Sequence, residues 1–425
     1  MLNFLICGLA FWSYAYLKFT KSKIFSPSVV FSFMWGANCI VTSLILGGYV
    51  ENLYLEKWYV YKYMDHYILY FTAVSIIAFI LAHRLKPGND VNMEFSLDYL
   101  DSLLDKYYWI MWVNFFGGLL RLILIIQMVG FNSVMDYRLA ANSMMNSGAG
   151  AVGLVFRLSS YVQMLANYYV ALYGFKTGFG TIDLKTTLKI FILYAPTQMA
   201  TGGRLFILYF ILFFFGSFLL GRGISIRMDG GQLLQSSEKK VIITSLIGLL
   251  SLVSIIAMAR QNETNMSRKK ESALAKFAYI TEGMLATEHC MKLYDGDKVT
   301  QDYGQYLFTG KSQTYMNYRA YLLTTDMSSI VICIITPLYT GFGYKGSLII
   351  WFFIALLLEI LSIICLKKLT IINFFIFLTI LKMFYESVMS NPINGNIPVY
   401  ELIILIAIFK KQILGEDDNR YLSES

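Results

Sequence analysis

The clearest chemical signal in this sequence is an arginine at the head of an apolar segment. The stretch MATGGRLFILYFILFFFGSF places Arg204 directly after Gly202 and Gly203, and the fourteen residues that follow carry no charge. Free amides at a helix N-terminus and a planar guanidinium group both bind phosphate or diphosphate well. The alternative for Arg204 is a side chain that extends to the lipid headgroups.

Other arginines also lie inside or beside apolar segments. They are Arg121, Arg138, Arg157, Arg260 and Arg319. A charge inside a membrane span costs at least ~2.5–3.5 kcal/mol, so such a side chain usually faces a polar cavity. An internal salt bridge is the alternative, but the apolar segments offer few carboxylates, mainly Glu359 and Glu386. The arginines therefore favour an anionic ligand, most simply a phosphate or diphosphate.

Other candidate residues lie later in the chain. Glu282, Glu288 and His289 fit acid–base chemistry, with solvated helix residues as the alternative. Tyrosines near Arg319 and in the segment TPLYTGFG fit stacking on sugar rings, with membrane-interface residues as the alternative; they are Tyr315, Tyr318 and Tyr339. The five cysteines and three histidines are scattered along the sequence. That scatter predicts no metal site and no cofactor.

The composition indicates the elements that must position these residues. Of the 425 residues, 57% are hydrophobic and 15% are charged, whereas soluble domains are about a quarter charged. Many apolar runs approach the roughly 20 residues that cross a bilayer. The sequence predicts an all-α, polytopic transmembrane helix bundle in the lipid bilayer. The net charge of +8 is explained by basic loops that set topology, so no nucleic-acid partner is expected.

The apolar runs predict about eleven spans in one membrane domain that covers residues 1–425. The predicted ranges are 2–19, 28–47, 66–83, 107–129, 153–175, 186–202, 204–221, 241–259, 328–366, 370–389 and 398–413. The range 328–366 fits either one long span preceded by a half-helix or two spans.

Basic residues at the span ends predict the orientation. Placing them inside puts the N-terminus outside and the C-terminus inside. The outer side then carries the arginines and one large loop, residues 260–326. Part of that loop, SRKKESALAKFAYITEGMLATEHCMKLYDG, has helical periodicity and basic residues at one end. This pattern is typical of a helix that lies on the membrane surface, followed by an irregular lid.

This layout resembles the Wzy-type O-antigen polymerases, which join oligosaccharide repeat units. The resemblance lies in the many spans, the TGGR stretch that opens an outward-facing helix, the large late loop, and the stretch TPLYTGFGYKGSLIIWF. It implies a GT-C-like, metal-independent glycosyltransferase of the bacterial inner membrane, with its active site facing the periplasm. The expected substrate is an undecaprenyl-diphosphate-linked oligosaccharide. The expected product is O-antigen, the polysaccharide of lipopolysaccharide, or a capsule-type polysaccharide. The resemblance also allows a chain-length regulator as a partner.

The resemblance gives the candidate residues their expected roles. Arg204, Arg138 and Arg319 would stabilise charge during the reaction, and Glu282 or His289 would be the general base. Diphosphate binding would fall to Arg204, Gly203, Arg157, Arg260 and Arg121. Sugar binding would fall to Tyr315, Tyr318 and Tyr339.

Besides a signalling or scaffold membrane protein, in which the arginines would be irrelevant, two alternatives stay open from the sequence. One is an O-antigen ligase-like glycosyltransferase, which uses the same donor. The other is a membrane transporter or flippase of lipid-linked oligosaccharide, a class in which broken helices and internal repeats are typical.

Overall fold

The computed structural model describes most of the apolar part of the chain. The described residues are 1–49, 63–86, 91–130, 151–199, 205–230, 238–245, 247–248, 251, 282–293, 305–309, 333–388, 390, 392–393 and 403–407. Among them, the regular structure is helical, and an isolated bridge between Met93 and Leu369 is the exception. The predicted all-α class is therefore confirmed for these residues.

The helices fall into two compact units. Unit 1 contains α1 (Leu2–Ser22), α2 (Pro27–Leu46), α3 (Met64–Leu85), α11 (Glu282–Leu293), α12 (Gln305–Thr309), α13 (Ile335–Lys367) and α14 (Ile371–Glu386). Unit 2 contains α4 (Leu97–Tyr107), α5 (Trp109–Val129), α6 (Ala151–Phe179), α7 (Leu184–Tyr194), α8 (Pro196–Met199), α9 (Leu205–Phe210), a π-helical turn (Ile211–Gly216) and α10 (Ser217–Asp229).

Six segments in the described residues are long and apolar enough to cross a membrane. They are Leu2–Ser22, Pro27–Leu46, Met64–Leu85, Leu97–Met128, Ile207–Met228 and Ile335–Lys367. Each overlaps a predicted span. The predicted spans 241–259 and 398–413 fall largely outside the described residues, so the total of about eleven stays a prediction.

Aromatic rings fill the core of unit 1. Phe31 of α2 lies at its centre, with ring centroids 5.4 Å from Phe79, from Trp351 and from Phe384. The Trp351 indole donates to Ser75 Oγ at 2.8 Å. Because these contacts join α2, α3, α13 and α14, the rings fix the positions of all four helices.

A break divides α13 into two parts. Gly343 has φ 66° and ψ −172°, a conformation essentially limited to glycine. The part from Ile335 to Phe342 spans only ~12 Å, whereas the part after Gly343 spans ~36 Å, enough to cross a bilayer. Of the two alternatives for 328–366, the described residues from 333 onward match a half-helix followed by one long span.

The helix predicted on the membrane surface is instead buried. Consecutive residues from Gly283 to Met291 of α11 are buried in unit 1, where α11 packs on α13 and α3. Thr287 shows the contact, since its hydroxyl lies 2.8 Å from that of Thr336. This burial differs from the surface position that we expected, because helical periodicity alone cannot show what covers a helix. The rest of the predicted surface helix lies outside the described residues.

Glycines bring the backbones of unit 2 together. A Cβ at Gly174 of α6 would lie 2.3 Å from the carbonyl oxygen of Phe214, and one at Gly221 of α10 would lie 2.2 Å from that of Phe175. Gly174 and Gly178 form a G-x-x-x-G pattern, which is typical of close helix pairs in membranes. The helix after the TGGR stretch therefore packs tightly on α6.

Candidate functional site

A break in the helical backbone of unit 2 forms one wall of the candidate site. Pro196 has no N–H, so α7 cannot continue through it and its last carbonyls need other donors. Asn114 of α5 supplies them, because its amide donates to Leu193 O at 2.9 Å and to Tyr194 O at 3.0 Å. Thr197 follows the break and donates to Asn114 O at 2.6 Å.

Gly118 lets this broken segment approach α5. A Cβ at position 118 would lie 2.2 Å from the backbone nitrogen of Thr197, so no larger residue fits there. Asn114, Gly118 and Arg121 occur at spacings of four and three, which puts them on one face of α5. The α7–α8 break therefore lies against the face that carries Arg121.

Arg121 is a buried cation on that face. Its side chain is 3% exposed. The guanidinium donates to Ser160 Oγ at 2.6 Å, to the Phe156 carbonyl and to the Thr197 carbonyl at 3.4 Å. It also lies 4.9 Å from the centroid of the Phe156 ring.

The Arg121 charge is not neutralised within the described part of the chain. All of its acceptors there are carbonyl or hydroxyl oxygens, and no carboxylate pairs with it. Its Nε is buried and has no hydrogen-bond partner among the described residues. A guanidinium has five N–H donors, so Nε–H and one N–H of Nη1 remain for a further acceptor. The sequence also allowed an internal salt bridge for Arg121, but no described carboxylate forms one.

Three buried polar residues of α6 form a polar seam that begins near Arg121. Ser159, Gln163 and Asn167 are all buried and lie at four-residue spacing, about 12 Å from end to end. Tyr194 donates to Asn167 Oδ1 at 2.7 Å, while Gln163 Oε1 is buried without a hydrogen-bond partner in the described structure. The seam offers hydroxyl and amide groups beside the Arg121 charge.

The opposite end of unit 2 has ordinary ion pairs. Lys176 of α6 pairs with Asp101, and Arg222 of α10 pairs with Glu238. Lys176 lies about 30 Å along α6 from Phe156, the thickness of a hydrocarbon core. The unpaired cation and the paired ones are therefore at different ends.

Several predicted site residues lie outside the described residues. These are Arg204, Gly203, Arg138, Arg260, Arg319, Tyr315 and Tyr318. Arg157 is described and exposed on α6, one residue after the Phe156 carbonyl that binds Arg121. The structure therefore gives these two arginines different surroundings, one buried and one open.

The remaining predicted site residues belong to unit 1. Glu282 is the first residue of α11. His289 is 2% exposed, and burial, together with the charge of Lys292, lowers its pKa to about 4. Tyr339 is 1% exposed and lies in the core of unit 1.

Glu288 has a structural task. Its carboxylate accepts the backbone N–H of Met64 at 2.7 Å and that of Tyr63 at 3.1 Å. Those amides begin α3, whose own N-cap side chain makes no capping bond. Glu288 therefore caps a helix from a distance of 224 residues along the chain.

Sequence reasoning missed one cluster in unit 1. Glu359 of α13 accepts from Ser28 Oγ at 2.6 Å and lies 3.0 Å from Nε2 of His83, which also contacts Lys18. A carboxylate inside the run IIWFFIALLLEILSIICL was the available signal. Its partners were not readable because His83 is 276 residues away in sequence.

Metal ligands do not converge in the described structure, where no group of three or more His, Cys, Asp or Glu side chains could hold an ion. A scan of protein-family models matched no family to this chain, and searches of curated proteins and of solved structures found no match. The long apolar helices indicate a helical membrane protein.

Proposed function

We propose that this chain polymerises undecaprenyl-diphosphate-linked oligosaccharide repeat units by glycosyl transfer at the periplasmic face of the bacterial inner membrane. The observation that carries the proposal is the buried guanidinium of Arg121. Among the described residues, all of its hydrogen-bond acceptors are neutral, and two of its N–H groups have no acceptor. The resemblance of the TGGR and TPLYTGFG stretches to Wzy-type polymerases supplies the class of reaction.

The chemistry needs a stabilised leaving group. The bond between the anomeric carbon and the diphosphate oxygen breaks, and its electron pair leaves with the diphosphate. A hydroxyl of the second lipid-linked repeat unit forms the new glycosidic bond and gives its proton to a base. The free donors of Arg121 would bind the diphosphate as its charge grows, which is electrostatic catalysis.

The polar seam supports the same proposal. Ser159, Gln163 and Asn167 place hydroxyl and amide groups along a buried path, and sugar hydroxyls are recognised by such groups. The unpartnered Gln163 Oε1 would accept a hydroxyl of the bound oligosaccharide. Arg204, Arg138, Arg319, Arg157 and Arg260 stay proposed partners of the diphosphate.

A second candidate function is transport of lipid-linked oligosaccharide. The break of α13 at Gly343 favours it, because discontinuous helices are typical of transporter binding sites. A transporter of this kind would deliver the repeat unit across the membrane without joining it to another. The two candidates therefore differ in what accumulates when the protein is missing.

The test is to delete the gene and analyse both surface polysaccharide and lipid-linked intermediates. A polymerase predicts that the ladder collapses to core plus one repeat unit. A transporter predicts core without repeat units and a build-up of single lipid-linked units. A ligase predicts lipid-linked polymer that is not attached to core. An unchanged ladder would refute the proposal.

Variants of Arg121 then test the site in the deletion strain. We expect Arg121→Gln to reduce polymer by about 100-fold or more, as removal of one donor to a developing charge does. Arg121→Lys should also fail because an ammonium cannot bond three separated acceptors and a diphosphate. Arg222→Lys is the matched control, since Arg222 is a partly buried arginine paired with the buried Glu238. Wild-type polymer from Arg121→Gln at normal protein level would remove Arg121 from the site.

A further inference from the structure

One exposed face of α7 carries two lysines among apolar side chains. Lys185 and Lys189 are both exposed, and their spacing of four residues places them one above the other on the helix. Leu184, Leu188 and Ile192 beside them are exposed as well. The face therefore presents two cations and a row of apolar side chains to the surroundings of unit 2.

The two ammonium groups are available to an anionic ligand. Neither Lys185 nor Lys189 forms an ion pair with a carboxylate of the described residues. Asp183 attracts Lys185, but its Oδ2 caps α7 by accepting the N–H and the hydroxyl of Thr186 at 2.9 Å and 2.7 Å. Nζ of Lys189 lies 5.4 Å from the centroid of the Tyr108 ring, a contact that attracts the charge without neutralising it. Both lysines can therefore bind an anion from outside the chain.

Aromatic side chains of α5 extend the same face. Tyr108, which contacts Lys189, packs edge-on against Trp112 with ring centroids 6.4 Å apart. Trp109 and Trp112 are both exposed. Trp and Tyr are typical of the level at which lipid headgroups meet the hydrocarbon core. Because α5 and α7 pack together, the lysines of one helix and the aromatic rings of the other mark this level in one place.

The direction of the helix orders the face as a lipid is ordered. Long helical side chains lean towards the N-terminus of their helix, so the ammonium groups of Lys185 and Lys189 extend towards the start of α7. A short loop joins that start to the end of α6. Leu188 and Ile192 continue along the exposed face in the opposite direction. Charge therefore collects at one end of the face and apolar surface at the other, as headgroup and acyl chains do in a phospholipid.

We propose that this face of α7 binds an anionic phospholipid of the bilayer. The ammonium groups of Lys185 and Lys189 donate to the phosphate oxygens of the headgroup, and Leu188 and Ile192 pack on its acyl chains. A zwitterionic phospholipid carries an ammonium of its own, which the two lysines repel, so the site prefers a lipid with a net negative charge. The site lies at the end of unit 2 opposite to Arg121 and does not depend on polymerase activity.

Native mass spectrometry of the full-length chain in detergent tests the proposal. The chain is mixed with increasing amounts of phosphatidylglycerol, phosphatidylethanolamine or inorganic phosphate. We expect phosphatidylglycerol to bind wild type about 10-fold more tightly than phosphatidylethanolamine does, and the double variant Lys185→Gln with Lys189→Gln to lose about 10-fold or more of the phosphatidylglycerol affinity. Inorganic phosphate should bind far more weakly, because it has no acyl chains to pack on α7.

The matched control is Lys239→Gln with Lys240→Gln, which removes two other exposed lysines of unit 2 and therefore the same total charge. Phosphatidylglycerol affinity should stay close to wild type in this control. It should also be kept by Lys185→Arg with Lys189→Arg, because arginine preserves both charges. The proposal is overturned if the control loses as much affinity as the Lys185 and Lys189 variant, if the two phospholipids bind equally, or if inorganic phosphate binds as tightly as phosphatidylglycerol.

Discussion

At the residue scale, the buried charges of this chain differ in how they are compensated. Arg222 has Glu238 as a direct counter-ion. Arg121 has only carbonyl and hydroxyl oxygens in the described structure, so its full charge persists in an apolar helix. A buried charge without a counter-ion is expensive. Arg121 is therefore the described residue with the most to gain from an anionic ligand.

His289 gives a prediction for stability against pH. Its pKa is lowered to about 4 by burial, while an unfolded histidine has a pKa of about 6.5. Between these values the unfolded chain binds a proton that the folded chain does not, so stability falls as pH falls from 6.5 to 4. The full effect is about 3 kcal/mol at most.

Thermal unfolding at pH 7.5 and pH 5 checks this prediction. Wild type should lose more stability at pH 5 than His289→Gln does. His66→Gln is the control, because His66 is exposed and its removal should leave the pH dependence in place. Equal pH dependence in wild type and His289→Gln would contradict the assignment. A low pKa also makes His289 a weak proton acceptor near neutral pH.

At the element scale, helix breaks determine where polar groups collect. Pro196 ends α7 and brings Thr197 to Arg121. Gly343 ends the half-helix of α13, whose Thr336 bonds α11. A break in a helix exposes backbone groups that other side chains must satisfy. At the Pro196 break, Asn114 and Arg121 satisfy them.

The cap that Glu288 provides to α3 gives the prediction at this scale. Its carboxylate accepts two backbone amides and also interacts favourably with the positive end of the α3 dipole. Glu288→Gln keeps one acceptor but loses the charge, so we expect a loss of about 1–2 kcal/mol in the free energy of unfolding. Chemical unfolding of the purified protein measures it.

The control for Glu288 is Glu386→Gln, which removes a carboxylate that pairs within one helix turn. Such a pair contributes only about 0.3–0.5 kcal/mol. Should both variants lose the same stability, the cap would not hold α11 to α3. A larger loss in Glu288→Gln would show that this carboxylate stabilises the contact between α11 and the start of α3.

At the scale of the whole molecule, hydropathy predicted the long helices closely. The predicted spans 2–19, 28–47 and 66–83 match Leu2–Ser22, Pro27–Leu46 and Met64–Leu85, because a bilayer demands a fixed apolar length. Arg121 was predicted because a charge stands out in an apolar run. The carbonyl acceptors of Arg121 were not predicted, since every residue has a backbone carbonyl and the sequence does not show which ones lie near the guanidinium. The pairing of His83 with Glu359 depends on tertiary packing and was equally hidden.

The basic ends of three helices of unit 1 lie close together. Lys18 reaches His83 near the end of α3, which in turn contacts Glu359 in the last third of α13. After these helices, the backbone of Leu369 pairs with that of Asn92 at 2.8 Å. The ends of α1, α3 and α13 are therefore at one end of the unit, as the positive-inside rule requires.

Site-directed labelling measures which side that end faces. All five native cysteines are buried, so an impermeant maleimide should give a low background. We expect Lys21→Cys and Lys368→Cys to react only after the cells are permeabilised, since Lys21 lies in the last turn of α1 and Lys368 directly follows α13, and both helices end at the basic end. Tyr49→Cys should react in intact cells, because Tyr49 is 79% exposed and lies beyond the far end of α2, about 30 Å away. The opposite labelling pattern would invert the predicted orientation of unit 1 and contradict the prediction from the basic helix ends.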